Sequence, residues 1–126
     1  MIVLDTSALL FWTLDLVRLS AAAERSIQQA DKILVSSISI WEIGIKVKRG
    51  KLEIPITMEE YVKGLNQLEK VEIQAVNVRD WLGNLALEWE HRDPADRTIV
   101  ALAARHGCQL ITSDHVIIGF YPNSVW

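Results

Sequence analysis

Short apolar runs alternating with helix-like segments predict an α/β fold: a three-layer α/β/α sandwich around a mainly parallel sheet. The runs at residues 1–4, 32–35 and 109–112 carry adjacent apolar residues (Met1 to Leu4, Ile33 to Val35, Leu110 and Ile111) rather than an alternating pattern, as expected of strands buried on both faces. Each is followed by a polar turn and then by apolar residues at helical spacing. The 126 residues, 50% hydrophobic and 23% charged, suit one domain over residues 1–126 that builds a core without staples.

Met1-Ile2-Val3-Leu4 forms the first strand and Asp5-Thr6-Ser7 the turn that ends it, followed by helix over residues 8–14. Ser20 is placed to cap a second helix that opens Ala-Ala-Ala-Glu. Residues 32–35 are the second strand and Ser36-Ser37-Ile38-Ser39 a cap region. Ile40, Ile43 and Val47 then recur at helical spacing until Gly50 ends the helix. After an extended link at residues 54–56, Thr57 and Glu60 have the spacing of a capping box. A third strand is expected within residues 71–78 and a helix over 79–90. Pro94 suits the first turn of a helix reaching His106, and Gly107 suits its C-cap. Residues 109–112 form the fourth strand, ending at Ser113-Asp114, and residues 124–126 a short last strand.

Several function classes fall away. The charge is 13 − 16 = −3, so bulk positive charge is not what would hold a nucleic acid. No uncharged run approaches the roughly 20 apolar residues of a membrane span. Asp5 interrupts the apolar start, so no secretory leader is expected and the protein should be cytoplasmic. One cysteine, Cys108, excludes an internal disulfide and a multi-cysteine zinc site, and is expected to be a buried thiol.

The acids carry the information. Asp5 ends the first strand and Asp114 lies just past the fourth; Glu42 sits early in the helix after the second; Asp93 and Asp96 flank the start of the helix at Pro94. In a parallel sheet all five project toward the edge where ligands bind. Two carboxylates about 4 Å apart repel by roughly 4 kcal/mol at an effective dielectric near 20, so such a cluster needs protons or a hard cation. Oxygen donors suit Mg²⁺ or Mn²⁺, and the absence of a Cys/His set argues against zinc. Such ions activate water against a phosphodiester. His91, His106 and His115 do not cluster and are given no metal role.

Four motifs in order resemble the PIN domains, in particular the VapC toxins of type II toxin–antitoxin systems. They are Ile2-Val3-Leu4-Asp5-Thr6-Ser7-Ala8-Leu9; Ser36-x-x-Ser39-x-Trp41-Glu42-Ile43; His91-Arg92-Asp93-Pro94-Ala95-Asp96-Arg97 with Ile99-Val100-Ala101; and Leu110-Ile111-Thr112-Ser113-Asp114. The resemblance covers essentially the whole chain. It implies a Mg²⁺- or Mn²⁺-dependent endoribonuclease, a homodimer, neutralised by a cognate VapB-type antitoxin. It also implies Asp5, Glu42, Asp96 and Asp114 as the metal-binding quartet, with Thr6, Ser7 and Thr112 as polar supports. Either acid of Asp93-Pro94-Ala95-Asp96 could face the metal; Asp96 is preferred because it matches the family's third acid, and Asp93 either stands beside it or caps the helix at Pro94.

Lys46 and Arg49 follow Glu42 by four and seven residues, on nearly the same helix face, and could lead an RNA backbone to the metal or simply form a solvated face. Arg92 and Arg97 could stabilise developing phosphate charge or pair with an acid. Of Trp12, Trp41, Trp81, Trp89 and Trp126, core or interface packing is expected ahead of base stacking, and the Leu9–Trp12 stretch is a candidate contact for a second copy or an antitoxin. Two further readings remain open: a non-catalytic module stabilised by a cation, and a PIN ribonuclease outside any toxin–antitoxin pair. Phosphoryl transfer to Asp5 fits poorly, because Ser7 stands where aspartate-based phosphatases place a second Asp.

Overall fold

Continuous apolar strands pair in parallel when helices cover both faces, and a computed structural model describing residues 1–126 shows this arrangement. Strands β1 (Ile2–Leu4), β2 (Ile33–Ser36), β3 (Val71–Gln74), β4 (Gln109–Ile111) and β5 (Ser124–Val125) form one sheet in the order β3-β2-β1-β4-β5, every pair parallel. Leu4 is level with Val35 on one side and Ile111 on the other, so the three central strands end together.

Successive side chains leave a strand on opposite faces. Ile2, Leu4, Ile33, Val35 and Ile111 enter one core with Ala8, Leu9, Ala23, Ile27, Ile43, Tyr61 and Leu65. Helices α1 (Thr6–Leu14), α2 (Ala21–Gln29) and α4 (Met58–Gln67) supply that layer. Val3, Leu34 and Leu110 enter the other with Ile99, Val100, Leu102 and Ile117, from α6 (Pro94–His106) and α7 (His115–Phe120). Helix α5 (Val78–Ala86) packs against α6. Helix α3 (Ser37–Lys48) gives Ile43 to the first core and Ile38 to the second, so it bridges the layers at the strand ends. The three-layer α/β/α architecture is as expected.

The caps fall where the sequence places them. Ser20 accepts from the Ala23 amide, Thr57 and Glu60 close a capping box, and Gly107 ends α6 with φ 61°. Three boundaries differ. Helix α1 begins at Thr6 rather than residue 8, because Asp5 itself caps it. The third strand stops at Gln74, since Asn77 and Asp80 form a reciprocal capping box that starts α5 at Val78. Helix α5 ends at Ala86 rather than residue 90, because the following residues turn back around Arg97. A 3₁₀ turn at Leu16–Arg18 was not anticipated. No helix is long and apolar enough to cross a membrane.

Candidate functional site

Because the central strands end together, the residues that follow them meet at one edge. Asp5 follows β1 and is 4% exposed. Its Oδ1 accepts from the Ala8 amide at 2.7 Å, and its Oδ2 accepts from the Thr112 hydroxyl. Burial pushes the Asp5 carboxyl up to about 6; those two bonds oppose the rise, and the negative charges of Asp96 and Asp114 add to it. The Thr112 hydroxyl also accepts from the Asp114 amide at 3.0 Å, which ties the end of β4 to the end of β1. Asp114 caps α7 through Oδ1, accepting from Val116 at 2.8 Å and from Ile117 at 3.4 Å.

Glu42 reaches the edge from α3 and accepts a hydrogen bond from the Thr6 hydroxyl, which lies 2.9 Å from that of Ser39. Burial raises its carboxyl, Asp93 and Asp96 add to the rise, and Lys46 one turn along opposes it. Asp93 caps α6 by accepting from the Asp96 amide at 2.9 Å, and Pro94 occupies the first turn, where its missing N–H costs the helix no bond. The Asp96 carboxylate is hydrogen-bonded to His91 Nε2 at 2.7 Å. Burial raises Asp96, the His91 bond opposes that, and the charges of Asp93 and Asp114 add to it.

Asp5, Thr6, Ser7, Glu42, Lys46, Asp93, Asp96 and Asp114 line one cavity of about 200 Å³ that has no hydrophobic wall. The candidate quartet, its polar supports Thr6 and Ser7, and Asp93 are therefore brought together, with Thr112 directly behind Asp5. Asp93 proves to be both a cap and a cavity wall. The carboxylates ring the cavity without closing on a point: no three His, Cys, Asp or Glu side chains form a ready-made ligand set. Two larger clefts, about 400 Å³ each, are mainly apolar. Size there reflects uncovered hydrophobic surface; the charged chemistry lies in the smaller cavity.

The basic candidates separate. Lys46 lines the acidic cavity, and with Arg49 and Lys51 it lines an adjoining groove of about 240 Å³. Arg92 is exposed and lines no cavity. Arg97 departs from expectation: it neither pairs with an acid nor faces the cavity. Its guanidinium donates to the carbonyls of Asn84, Leu87, Trp89 and His91, clipping the α5–α6 connection. Its donors are spent on these carbonyls and, through Nε, on the Asn84 side-chain oxygen, which removes it as a phosphate contact. Conversely, His91 is invisible to a search for clustered histidines, because its partner is an acid five residues away. The chain reversal before Pro94 that brings them together was the available signal.

The tryptophans divide too. Trp89 stacks on Phe120 with ring centroids 4.5 Å apart, and Trp126 packs on Phe11. Trp41 and Trp81 are 62% and 43% exposed.

The PIN domain family profile matches residues 2–120. Ribonuclease VapC22 of Mycobacterium tuberculosis is 28% identical over 116 residues, covering 90% of this chain and 86% of that protein. Among solved structures, a toxin–antitoxin complex from Klebsiella pneumoniae is similar with TM-score 0.69 at 19% identity, over 100% of this chain and 97% of that one. VapC20 of Mycobacterium tuberculosis, a sarcin–ricin loop cleaving toxin, gives TM-score 0.60 at 18% identity, over 95% and 96% of the two chains. The structural likenesses speak for the fold. Since the family profile runs from β1 to the end of α7 and takes in every acid of the cavity, the chain belongs to the PIN-domain family.

Proposed function

We propose that the protein is a Mg²⁺- or Mn²⁺-dependent endoribonuclease that hydrolyses RNA phosphodiester bonds. In this reading it is a cytoplasmic, homodimeric VapC-type toxin that a VapB-type antitoxin neutralises, with residues 1–126 as one folded unit. The observation that carries the chemistry is the cavity with five carboxylates and no hydrophobic wall, at the carboxyl edge of a parallel sheet. The toxin role is supported by the likeness to VapC22 and to a chain of a toxin–antitoxin complex.

The donor set fits a hard divalent cation. All donors are oxygens, and burial already disfavours the charged forms of Asp5, Glu42 and Asp96, so protons or a cation must offset their charge. Asp5, Glu42, Asp96 and Asp114 would hold it, with Asp93 beside them. When bound, the cation supplies positive charge that favours deprotonation of the attacking water and stabilises the leaving oxygen.

The chain's own residues do the rest. Thr112 and the Ala8 amide fix both oxygens of Asp5, so this donor is pre-oriented. Thr6 fixes Glu42, whose raised carboxyl is better suited than an ordinary glutamate to accept a proton from water. His91 fixes Asp96. Lys46 at the cavity wall and Arg49 in the adjoining groove are positioned to attract the RNA backbone, with Arg92 exposed nearby in sequence.

The test is cleavage of end-labelled RNA with Mg²⁺, with Mn²⁺ or with excess EDTA, beside an identically prepared Asp96→Asn protein. Cutting that needs metal and that the variant lacks is expected. Cutting that survives EDTA, or equal cutting by the variant, contradicts the proposal. Metal binding without cutting of any RNA leaves the non-catalytic module in its place.

A further inference from the structure

We propose that Lys46 and Ser7 hold the phosphate at which the RNA is cut, Lys46 through its ammonium and Ser7 through its hydroxyl, so that both are catalytic residues. This rests on the ribonuclease reading of the acidic cavity and adds the groups that meet the reacting bond there.

Eight residues line the acidic cavity, and five of them are acids. Each acid is held by a group other than Ser7 or Lys46. The Ala8 amide and Thr112 hold Asp5, Thr6 holds Glu42, and His91 holds Asp96. Asp93 and Asp114 accept from amides of the helices they cap. Ser7, which the resemblance implies as a support, therefore supports none of them; its half-buried side chain leaves a hydroxyl donor on the cavity wall. Lys46 is the one cation on that wall, and it has no carboxylate within 4.0 Å. Its charge still acts on the cavity, since it opposes the rise of Glu42.

An ammonium that stands among five acids and pairs with none of them is free for an anion from outside. A phosphate brought to this cavity presents oxygens that the acids repel and that Lys46 and Ser7 attract. In the reaction the water oxygen bonds to phosphorus and the bond to the leaving ribose oxygen breaks. The water loses a proton and the leaving oxygen gains one. Negative charge builds on the other phosphate oxygens along the way, and donors already set there stabilise that state more than the starting one. Lys46 and Glu42 also line the adjoining groove, with Arg49 and Lys51. Those two cations lie outside the acidic cavity, so they hold the strand to one side of the cut and do not touch the reacting bond.

The experiment compares single-turnover cleavage in Mg²⁺, Mn²⁺ binding and thermal unfolding for the wild type, Lys46→Met, Ser7→Ala and Arg49→Ala. The substrate is the fragment of end-labelled cellular RNA that the wild type cuts fastest. Met matches Lys in helix propensity and Ala exceeds Ser, so neither change should lower the melting temperature. Lys46→Met should slow cleavage at saturating protein by about 10²- to 10³-fold, the loss of one preset donor, and Lys46→Arg should recover part of it. Ser7→Ala should slow it by about 10- to 100-fold. Both should bind Mn²⁺ at least as tightly as the wild type, because neither is a donor to the ion and Lys46 repels it. Arg49→Ala should raise the protein concentration that half-saturates cleavage far more than it lowers the saturated rate, and should flatten the salt dependence.

A saturated rate equal to that of the wild type in Lys46→Met or Ser7→Ala overturns the proposal for that residue and leaves the ribonuclease reading standing. A slow rate that comes with lost Mn²⁺ binding assigns the residue to the cation site and overturns it too. Equal losses of saturated rate in Arg49→Ala and Lys46→Met make Lys46 part of a general basic face, against the proposal. Failure of the wild type to cut any RNA sinks the ribonuclease reading as well.

Discussion

Asp5→Asn should make the protein more stable while abolishing its activity. Asp5 is 4% exposed, and its carboxyl sits at about 6 in the folded state against an ordinary 3.8. Between those values the folded chain holds a proton that the unfolded chain has released. Stability therefore falls as pH rises through that window and is flat above it. At ~1.36 kcal/mol for each tenfold, the gap corresponds to about 3 kcal/mol of destabilisation above about pH 6. An amide cannot ionise and does not incur it. The replacement keeps the α1 cap, since Asn and Asp serve equally there, and Thr112 need only turn its hydroxyl to accept from the new amide. At roughly 4 °C per kcal/mol for a chain of this length, the variant should melt about 10 °C higher at neutral pH in EDTA. The difference should vanish below about pH 4. On the proposed cation site, Mg²⁺ should raise the melting temperature of the wild type more than that of the variant, which lacks one of the four proposed donors. Thermal unfolding across pH, with and without Mg²⁺, reads all three. A variant that melts at or below the wild type at every pH, or a gap that persists in acid, refutes the reasoning.

Other substitutions probe the supports. Thr112→Val removes the hydroxyl that joins Asp5 to the Asp114 amide, and should cost about 1.5–3 kcal/mol in a urea titration. Because that bond holds Asp5 down, its loss should also move the acidic limb of the RNA-cleavage pH profile to higher pH. Arg97→Lys replaces a fork that serves four carbonyls with a point charge, and should lower stability by about 2–3 kcal/mol and speed amide exchange over residues 87–93. If Arg97 instead served RNA, this substitution would alter RNA affinity without altering stability.

The layers and the acids were legible because both depend on local pattern. Buried parallel strands are continuously apolar, and a carboxylate straight after such a strand must sit at the sheet edge whatever the rest of the chain does. Caps were legible for the same reason: Thr57 with Glu60 and Gly107 act within a few residues of themselves. The limits of β3 and α5 were not. Residues 75–78 alternate Ala-Val-Asn-Val and read as strand, but the Val76 amide is taken by the Ser37 hydroxyl, and the Asn77 cap starts a helix. Arg97 looked like a site residue from its place beside Asp96; only the folded loop shows the carbonyls it collects. The resemblance implies Thr112 as a support, but its contact with Asp5 spans 107 positions of sequence, and no local pattern encodes that. The exposure of Trp41 and Trp81 runs against the usual burial of aromatic residues, so composition pointed inward where the fold points outward.

The most direct measurement is Mn²⁺ binding followed by electron paramagnetic resonance, comparing the wild type with Asp96→Asn at neutral pH. Saturable loss of the free-ion signal with the wild type, competed by Mg²⁺ and strongly weakened in the variant, is expected if the ringed carboxylates of the cavity take up the ion. No binding by the wild type, or equal binding by the variant, contradicts a cation site built on these acids.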